Sequence, residues 1–421
     1  MSLFSLISLV IAIPAVLSYV NYRFIGLPTT IGVMLIALAM SLCLIGADFV
    51  GIPVRGFAVG LLERLHFREV LLSGMLAFLL FAGALHVNLR ELRGEMIVVL
   101  MLATVGVLAS TAIVGLLTWV TAHALGLGLS LSESFLFGAL ISPTDPIAVL
   151  GILRSVGAPK SLEVQMAGES LFNDGIGVVV FAVILGITGA GSMGHPPTRM
   201  DVAIIVLREV GGSLALGLAV GWVAYRMLRS VDNHHVEVFI TLALAMGLYT
   251  LASNLHMSGP LAVVVAGLLI GNPGRTHAMS SHTVEQLDLF WELIDEILNV
   301  VLFVLIGFEV LVVSFSKPMF LAGMIAIVLV LVARFVSVGG TLALLRRSRL
   351  FPRHAVTLLT WGGLRGGISV ALALSLGEGV RGRSLILAMT YVVVVFSIVV
   401  QGLTIGPLIR ATKGRAAPAS A

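Results

Sequence analysis

The sequence predicts an all-α polytopic membrane protein, and three observations carry that reading. Hydrophobic residues make up 58% of the 421 residues and charged residues only 11%. The mean hydropathy is +1.11. Apolar stretches long enough to cross about 30 Å of hydrocarbon recur from end to end, separated by short polar turns, so no soluble domain can be cut out.

Apolar runs read against turn signals give about thirteen helices, over approximately 2–20, 27–45, 69–89, 95–122, 131–153, 161–187, 202–225, 236–254, 257–271, 287–312, 318–345, 354–376 and 384–410. The first has no basic leader and no small-residue cleavage pattern, which marks it as a span rather than a removed signal peptide. The ninth is short for a full crossing. The fifth carries Pro143 and Pro146 around Asp145, and the twelfth carries Gly362, Gly363, Gly366 and Gly367 around Arg365. If helices 1 to 6 form one repeat and 8 to 13 another, each break falls in the fifth helix of its repeat. Six crossings return the chain to its starting side and the seventh reverses it, so the second repeat is inverted. Two broken crossing helices, 5 and 12, in two inverted six-helix repeats point to a carrier's site.

Assigned to alternate sides, fifteen of the 25 Lys and Arg residues fall on the side of the C-terminus and seven on the other. The positive-inside rule then places the C-terminus in the cytoplasm and the N-terminus outside. Cys43 is the single cysteine, which excludes disulfide frameworks and clustered-cysteine metal sites. The pI near 9.6 comes from residues scattered through turns, not from one basic face, so nucleic acid is not an expected partner.

The chemistry concentrates around two aspartates in apolar surroundings: Asp145 in Ser142-Pro143-Thr144-Asp145-Pro146 and Asp174 in Gly168-Glu169-Ser170-Leu171-Phe172-Asn173-Asp174. An ionisable side chain at mid-bilayer costs on the order of 3 kcal/mol or more and marks an ion or proton pathway. Pro143 and Pro146 lack backbone N–H groups, so carbonyls of the preceding turn lose their helical partners. Bare backbone in a membrane survives where it lines a cavity or binds something. The break offers carbonyl oxygens to a cation and a positive half-helix end that Asp145 can balance. On helix six, Ser170 and Asp174 are four residues apart, as are Glu169 and Asn173, giving two adjacent stripes of polar groups. Oxygen ligands alone suit a hard cation, and a loosely held monovalent one can leave again.

Arg334 and Arg365 supply positive charge that stays on at any physiological pH. Arg334 is expected to pair with an acid, and Arg365 to neutralise carbonyl ends at its own helix break. If all five charges share one core, Asp145, Glu169 and Asp174 against the two arginines leave a net charge of minus one, which one Na⁺ or one H⁺ would neutralise. Proton and cation compete for the same carboxylate oxygens. If only the occupied site crosses, exchange is obligatory and electroneutral.

At these residues the sequence resembles the monovalent cation:proton antiporters, specifically the NhaP-type sodium/proton branch related to the animal sodium/proton exchangers. The resemblance runs through Leu80 to Leu85 with Asn88-Leu89, the Ser-Pro-Thr-Asp-Pro run, Gly168 to Asp174, Phe290-Trp291-Glu292 with Leu305-Ile306-Gly307, and the glycine-flanked Arg365. It implies Na⁺ or Li⁺ exchange for H⁺ by a homodimer in the lipid bilayer, with no cofactor and no catalytic residue, in a bacterial inner membrane. It also implies interface helices 1 to 3 in 1–94, transport-bundle helices 4 to 6 in 95–187 and a linker helix 7 in 188–230. Interface helices 8 and 9 follow in 231–286 and helix 10 in 287–316, then bundle helices 11 to 13 in 317–411 and a short cytoplasmic tail, 412–421. Asp174 would be the principal cation and proton site, coordinated with Asp145, Ser170 and the Thr144 carbonyl. Asn173 would support the crossing, and Glu169 would pair with Arg334. Asn173-Asp174 resembles the electroneutral branch; the electrogenic branch has Asp-Asp there and a lysine in place of Arg334. No long regulatory tail like that of the animal exchangers is expected.

Other residues receive plainer readings. His234-His235 is a solvated helix start, Glu309 reaches the membrane interface, and Glu292, Asp295 and Glu296 open helix ten as capping acids in preference to an ion-access funnel. An intramembrane aspartyl protease would need Tyr-Asp and Gly-x-Gly-Asp sequences, and here Thr144-Asp145 and Phe172-Asn173-Asp174 stand instead. A cation channel would need a continuous pore in place of inverted broken helices. The oxygen inventory serves Na⁺, Li⁺ or K⁺, so K⁺/H⁺ exchange is the nearest alternative.

Overall fold

The computed structural model describes residues 3–49, 74–188, 198–313, 316–346, 354–377 and 379–414, together with residues 56, 59, 60, 351 and 352. Helices account for nearly all of them, and no strand occurs among the described residues. α1 runs Leu3–Val20 and continues through a π-turn, Asn21–Ile25; α2 is Thr29–Phe49, and α3 is Leu76–His86. α4 is one continuous helix, Leu89–Ala124. α5 consists of two half-helices, Leu131–Ile141 and Ile147–Ser155, and α6 is Lys160–Ile187. α7 joins Arg199–Val206 to Ser213–Arg229 through a π-turn, α8 is His234–Asn254, and α9 runs from Gly259–Leu269 through a π-turn to Arg275–His277. α10 is Ser281–Glu309, α11 Lys317–Leu345, and α12 the two halves Ala355–Gly362 and Gly367–Ser375. α13 begins at Arg383–Phe396 and ends at Gly402–Gly414, again across a π-turn.

Eight helices among the described residues are long and apolar enough to cross a bilayer, and the bent α12 pair makes a ninth. The chain is an integral membrane protein. Three of the remaining stretches fall short for separate reasons. The expected start of α3, at 69, lies outside the described residues; the proline break halves α5; and α10 carries five acids in its first sixteen residues. The arginines 55, 64, 68, 347, 349, 353 and 415, used to orient the chain, also lie outside the described residues, as does most of the expected tail.

Two expected helix starts are corrected. α4 begins at Leu89 and not at 95, because the Asn88 side chain accepts from the Arg90 N–H at 2.9 Å and caps the helix. Asn272 of α9 fixes the same corner, accepting from Leu89 N at 2.7 Å and donating to Val87 O at 3.0 Å. α10 begins at Ser281, capped by Ser280. Glu292, Asp295 and Glu296 therefore lie three and four turns inside the helix, beyond the reach of its terminal dipole, and the capping reading fails. Glu309 ends α10 and is only 5% exposed, enclosed by protein. His234-His235 does open α8, with Asn233 as cap.

The helices pack in two groups. α4 lies along the first half of α5 and along α11, α11 along α13, and α6 against α4 and α5. In the other group α7, α8 and α9 pack together, α9 on α3, and α10 on α2 and α3. Trp291 is fully buried in this second group, its ring 4.8 Å from that of Phe81 and its Nε1–H donating to Thr241 Oγ1 at 3.0 Å. An indole so placed combines large apolar burial with a satisfied polar atom. The groups meet where α6 touches α9 and where α10 touches the second half of α12.

Candidate ion-binding site

Both expected helix breaks are present, and they lie against each other. α5 stops at Ile141 because Pro143 and Pro146 cannot donate to the preceding turn. α12 stops at Gly362 and resumes at Gly367, bent by 51°. The Asp145 N–H donates to Leu364 O at 2.8 Å, so the backbone of one break satisfies the backbone of the other. Gly366 permits this approach, because a Cβ there would overlap the Asp145 carboxylate. Gly363 likewise lies under the Arg334 guanidinium, where a Cβ would come within 2.7 Å of Nε.

Arg365 is the one side chain whose partners differ from expectation. Instead of serving its own break, its Nη1 donates across to the carbonyls of Ser142 and, at 2.8 Å, Pro143. The guanidinium thus neutralises the bare C-terminal end of the first α5 half-helix. At its own break, the Arg365 N–H donates to Ser397 Oγ at 2.9 Å; Ser397 donates to Gln401 Oε1 at 2.6 Å, and Gln401 Nε2 donates to Trp361 O at 3.0 Å. Ser397 and Gln401 belong to the π-turn of α13, whose extra residue aims both side chains at the break. Sequence reasoning missed them, since a serine and a glutamine in an apolar helix carry no signature of their own.

The two stripes of α6 face different surroundings. Glu169 is 1% exposed and forms a bidentate ion pair with Arg334, Nη2 donating to Oε2 at 2.9 Å and Nη1 to Oε1. Arg334 Nη2 also reaches Leu359 O at 3.3 Å. Asn173, fully buried, donates from Nδ2 to Thr144 Oγ1 at 2.8 Å and accepts from Thr144 N at 3.4 Å. This stripe is internal bracing: it holds α11 and the α5 break on α6.

Ser170 and Asp174 face a cavity of about 870 Å³ that Asp145 and Pro146 also line. The cavity runs outward between the two groups of helices to a mouth bearing His86, Glu91, Arg154, Lys160 and Asp288. Its opposite wall is α10, which contributes Asp288, Glu292 and Asp295. Their spacing of four and three residues is the helical-face signal that could have found them. Lys160 Nζ donates to Glu91 Oε1 at 2.7 Å and Gln165 to Glu95 Oε2 at 2.9 Å, fixing the start of α6 on α4. The structure therefore brings together Thr144, Asp145, Ser170, Asn173 and Asp174 at one crossing, with Glu169, Arg334 and Arg365 directly behind it.

Broken helices crossing beside carboxylates at the end of a wide cavity define a class, the membrane carriers. The profile described as "Sodium/hydrogen exchanger, transmembrane" matches residues 9–411, and the chain belongs to the sodium/hydrogen exchanger family, a family of transporters and not of enzymes. It is 50% identical over 410 residues to the Na(+)/H(+) antiporter NhaP of Pseudomonas aeruginosa, covering 96% of each chain. It is 36% identical over 348 residues to the Na(+)/H(+) antiporter NhaH of Halobacillus dabanensis, covering 82% of this chain and 83% of that one. Among solved structures, the sodium proton antiporter MjNhaP1 of Methanocaldococcus jannaschii shares the fold, with a TM-score of 0.76 at 20% identity over 98% of this chain and 100% of the other.

Proposed function

We propose that this protein exchanges Na⁺, or Li⁺, for H⁺ across the membrane, one for one and without net charge movement. The observation that carries the reading is the cavity ending on Asp174, Asp145 and Ser170 where the broken helices cross. The names of the relatives, Na(+)/H(+) antiporters over nearly the full length of the chain, support the choice of ions.

Asp174 binds the proton or the cation, and Asp145, Ser170 and the Thr144 carbonyl complete an oxygen shell for the dehydrated ion. Asn173 positions Thr144. Glu169 and Arg334 cancel each other behind the site, and Arg365 is balanced in part by half-helix carbonyls. The three acids against the two arginines leave the core with a net charge of minus one, which one Na⁺ or one H⁺ neutralises. A charged empty site does not cross the apolar barrier; an occupied one does.

The group formed by α4 to α6 and α11 to α13 serves as the moving bundle, sliding against α1 to α3 and α8 to α10 in an elevator-like motion, with α7 as linker. The thirteen crossings form two inverted repeats, with the N-terminus outside and the C-terminus in the cytoplasm. The basic mouth residues Arg154 and Lys160 then put the cavity on the cytoplasmic side. The protein works as a homodimer in a bacterial inner membrane.

Asp174→Asn tests the assignment. The variant should purify folded and lose all Na⁺-driven proton movement; retained sodium-dependent flux would remove Asp174 from the site.

A further inference from the structure

Asp288, Glu292, Asp295 and Asn299 follow one another on α10 at intervals of four, three and four residues, which places them on one helical face. The three acids line the cavity, and Leu302, one turn further on, lines its inner end beside Gly367. The acids are not equivalent. Asp288 is held at the mouth by Arg275, whose Nη1 donates to it at 2.9 Å, and faces His86 at 3.8 Å. Asp295 lies one turn before Asn299 on the same face. Asp145 lines the same cavity.

Asn299 supplies the second observation. Its side chain is 2% exposed, and its Oδ1 has no hydrogen-bond partner. A buried amide oxygen left unpaired costs about 1–3 kcal/mol, so such groups call for an occupant. A carboxylate, Asp295, and the unpartnered amide oxygen of Asn299 thus stand one turn apart on one face. Their joint charge is minus one, and the adjoining cavity has room for the waters that would complete a monovalent cation's shell.

We propose that Asp295 and Asn299 Oδ1 form a second, stationary subsite for a partly hydrated monovalent cation on α10, across the cavity from Asp145 and Asp174. The subsite rests on the exchange reading for its use: it holds the ion on the fixed wall before transfer to the bundle, or receives it afterwards. Because α10 does not travel with the bundle, the subsite serves one side of the membrane and not the other.

The test is sided Na⁺ affinity of the full-length protein in oriented proteoliposomes at alkaline pH. Asp295→Asn should raise the KM for Na⁺ presented from the cavity side about five- to tenfold, the effect of one unit charge across a wet cavity. Asn299→Asp should lower that KM, a gain that a misfolded protein cannot mimic. KM from the opposite side should stay within about twofold in both. Equal changes on the two sides, or none, would overturn the subsite. If the wild-type protein moves no protons in response to any cation, the exchange reading falls, and Tl⁺ soaked into crystals decides the subsite by itself. An anomalous peak between Asp295 and Asn299 that Asp295→Asn abolishes would support it, and a wild-type crystal without the peak would overturn it.

Discussion

Arg334→Ala removes the guanidinium from a carboxylate that is 1% exposed, and the structure sets the scale of the loss. Two charge-assisted hydrogen bonds to Glu169 disappear, as does a third, at 3.3 Å, to Leu359 O. Glu169 is left in the interior without its cation. Removing one partner of a buried ion pair costs about 3–5 kcal/mol, mostly the penalty of the stranded charge rather than the worth of the pair. Glu169→Ala strands Arg334 in the same way and should cost as much. The double variant strands neither, so its cost should fall below the sum of the singles by about 2–3 kcal/mol. Unfolding of the purified protein in graded SDS measures all three. Single losses under about 1 kcal/mol that add without coupling would refute the claim that this pair braces α11 on α6.

The remaining predictions concern the crossing itself. Asn173→Ala releases Thr144 from its 2.8 Å hydrogen bond, a loss of about 1 kcal/mol and hence about a fivefold rise in the KM for Na⁺; an unchanged KM would mean that Thr144 needs no such support. Arg365→Lys keeps the charge but replaces the rigid guanidinium, whose Nη1 serves both Ser142 O and Pro143 O, with a flexible ammonium, so initial exchange rates should fall about tenfold or more; wild-type rates would show that charge alone suffices. If Na⁺ and H⁺ compete at Asp174 as proposed, lower pH should raise the apparent KM for Na⁺, about tenfold per unit where the proton dominates, with a plateau at alkaline pH. Initial rates across a pH series measure this, and a KM indifferent to pH with only the maximal rate changing would exclude direct competition.

Much of this arrangement was legible in the sequence, and the reasons differ from element to element. The breaks in α5 and α12 were visible because proline and clustered glycine act locally, whatever the fold does. That Arg334 would pair with an acid was legible because charges in lipid-spanning segments must find each other; that the acid is Glu169 came from the family resemblance. Arg365 was misplaced because its partners, the carbonyls of Ser142 and Pro143, are brought near by the crossing of two helices more than 200 residues apart, which no local pattern encodes. The acids of α10 were misassigned by a helix start placed six residues late. Ser280 was the capping signal, and once the helix begins at Ser281 the stripe 288-292-295 faces inward. Ser397 and Gln401 had no sequence signal, since only the π-turn and the neighbouring break give them work.

The stationary wall also bears on charge balance. Asp295 adds an acid to the cavity that the five-charge count omits. In the proposed mechanism α10 stays still, so this acid would not cross with the ion, and the proposed electroneutrality would rest on the charges carried by α5, α6, α11 and α12 alone.

The most direct test of the central claim is cation-driven dissipation of a pH gradient in proteoliposomes, comparing Na⁺, Li⁺, K⁺ and choline, with and without the membrane potential clamped by valinomycin and K⁺. Rapid dissipation by Na⁺ and Li⁺, absent with choline and indifferent to the clamp, is the predicted result. Equal activity with K⁺ would change the substrate, a rate that follows the membrane potential would break the one-for-one charge count, and no response to any cation would contradict exchange itself.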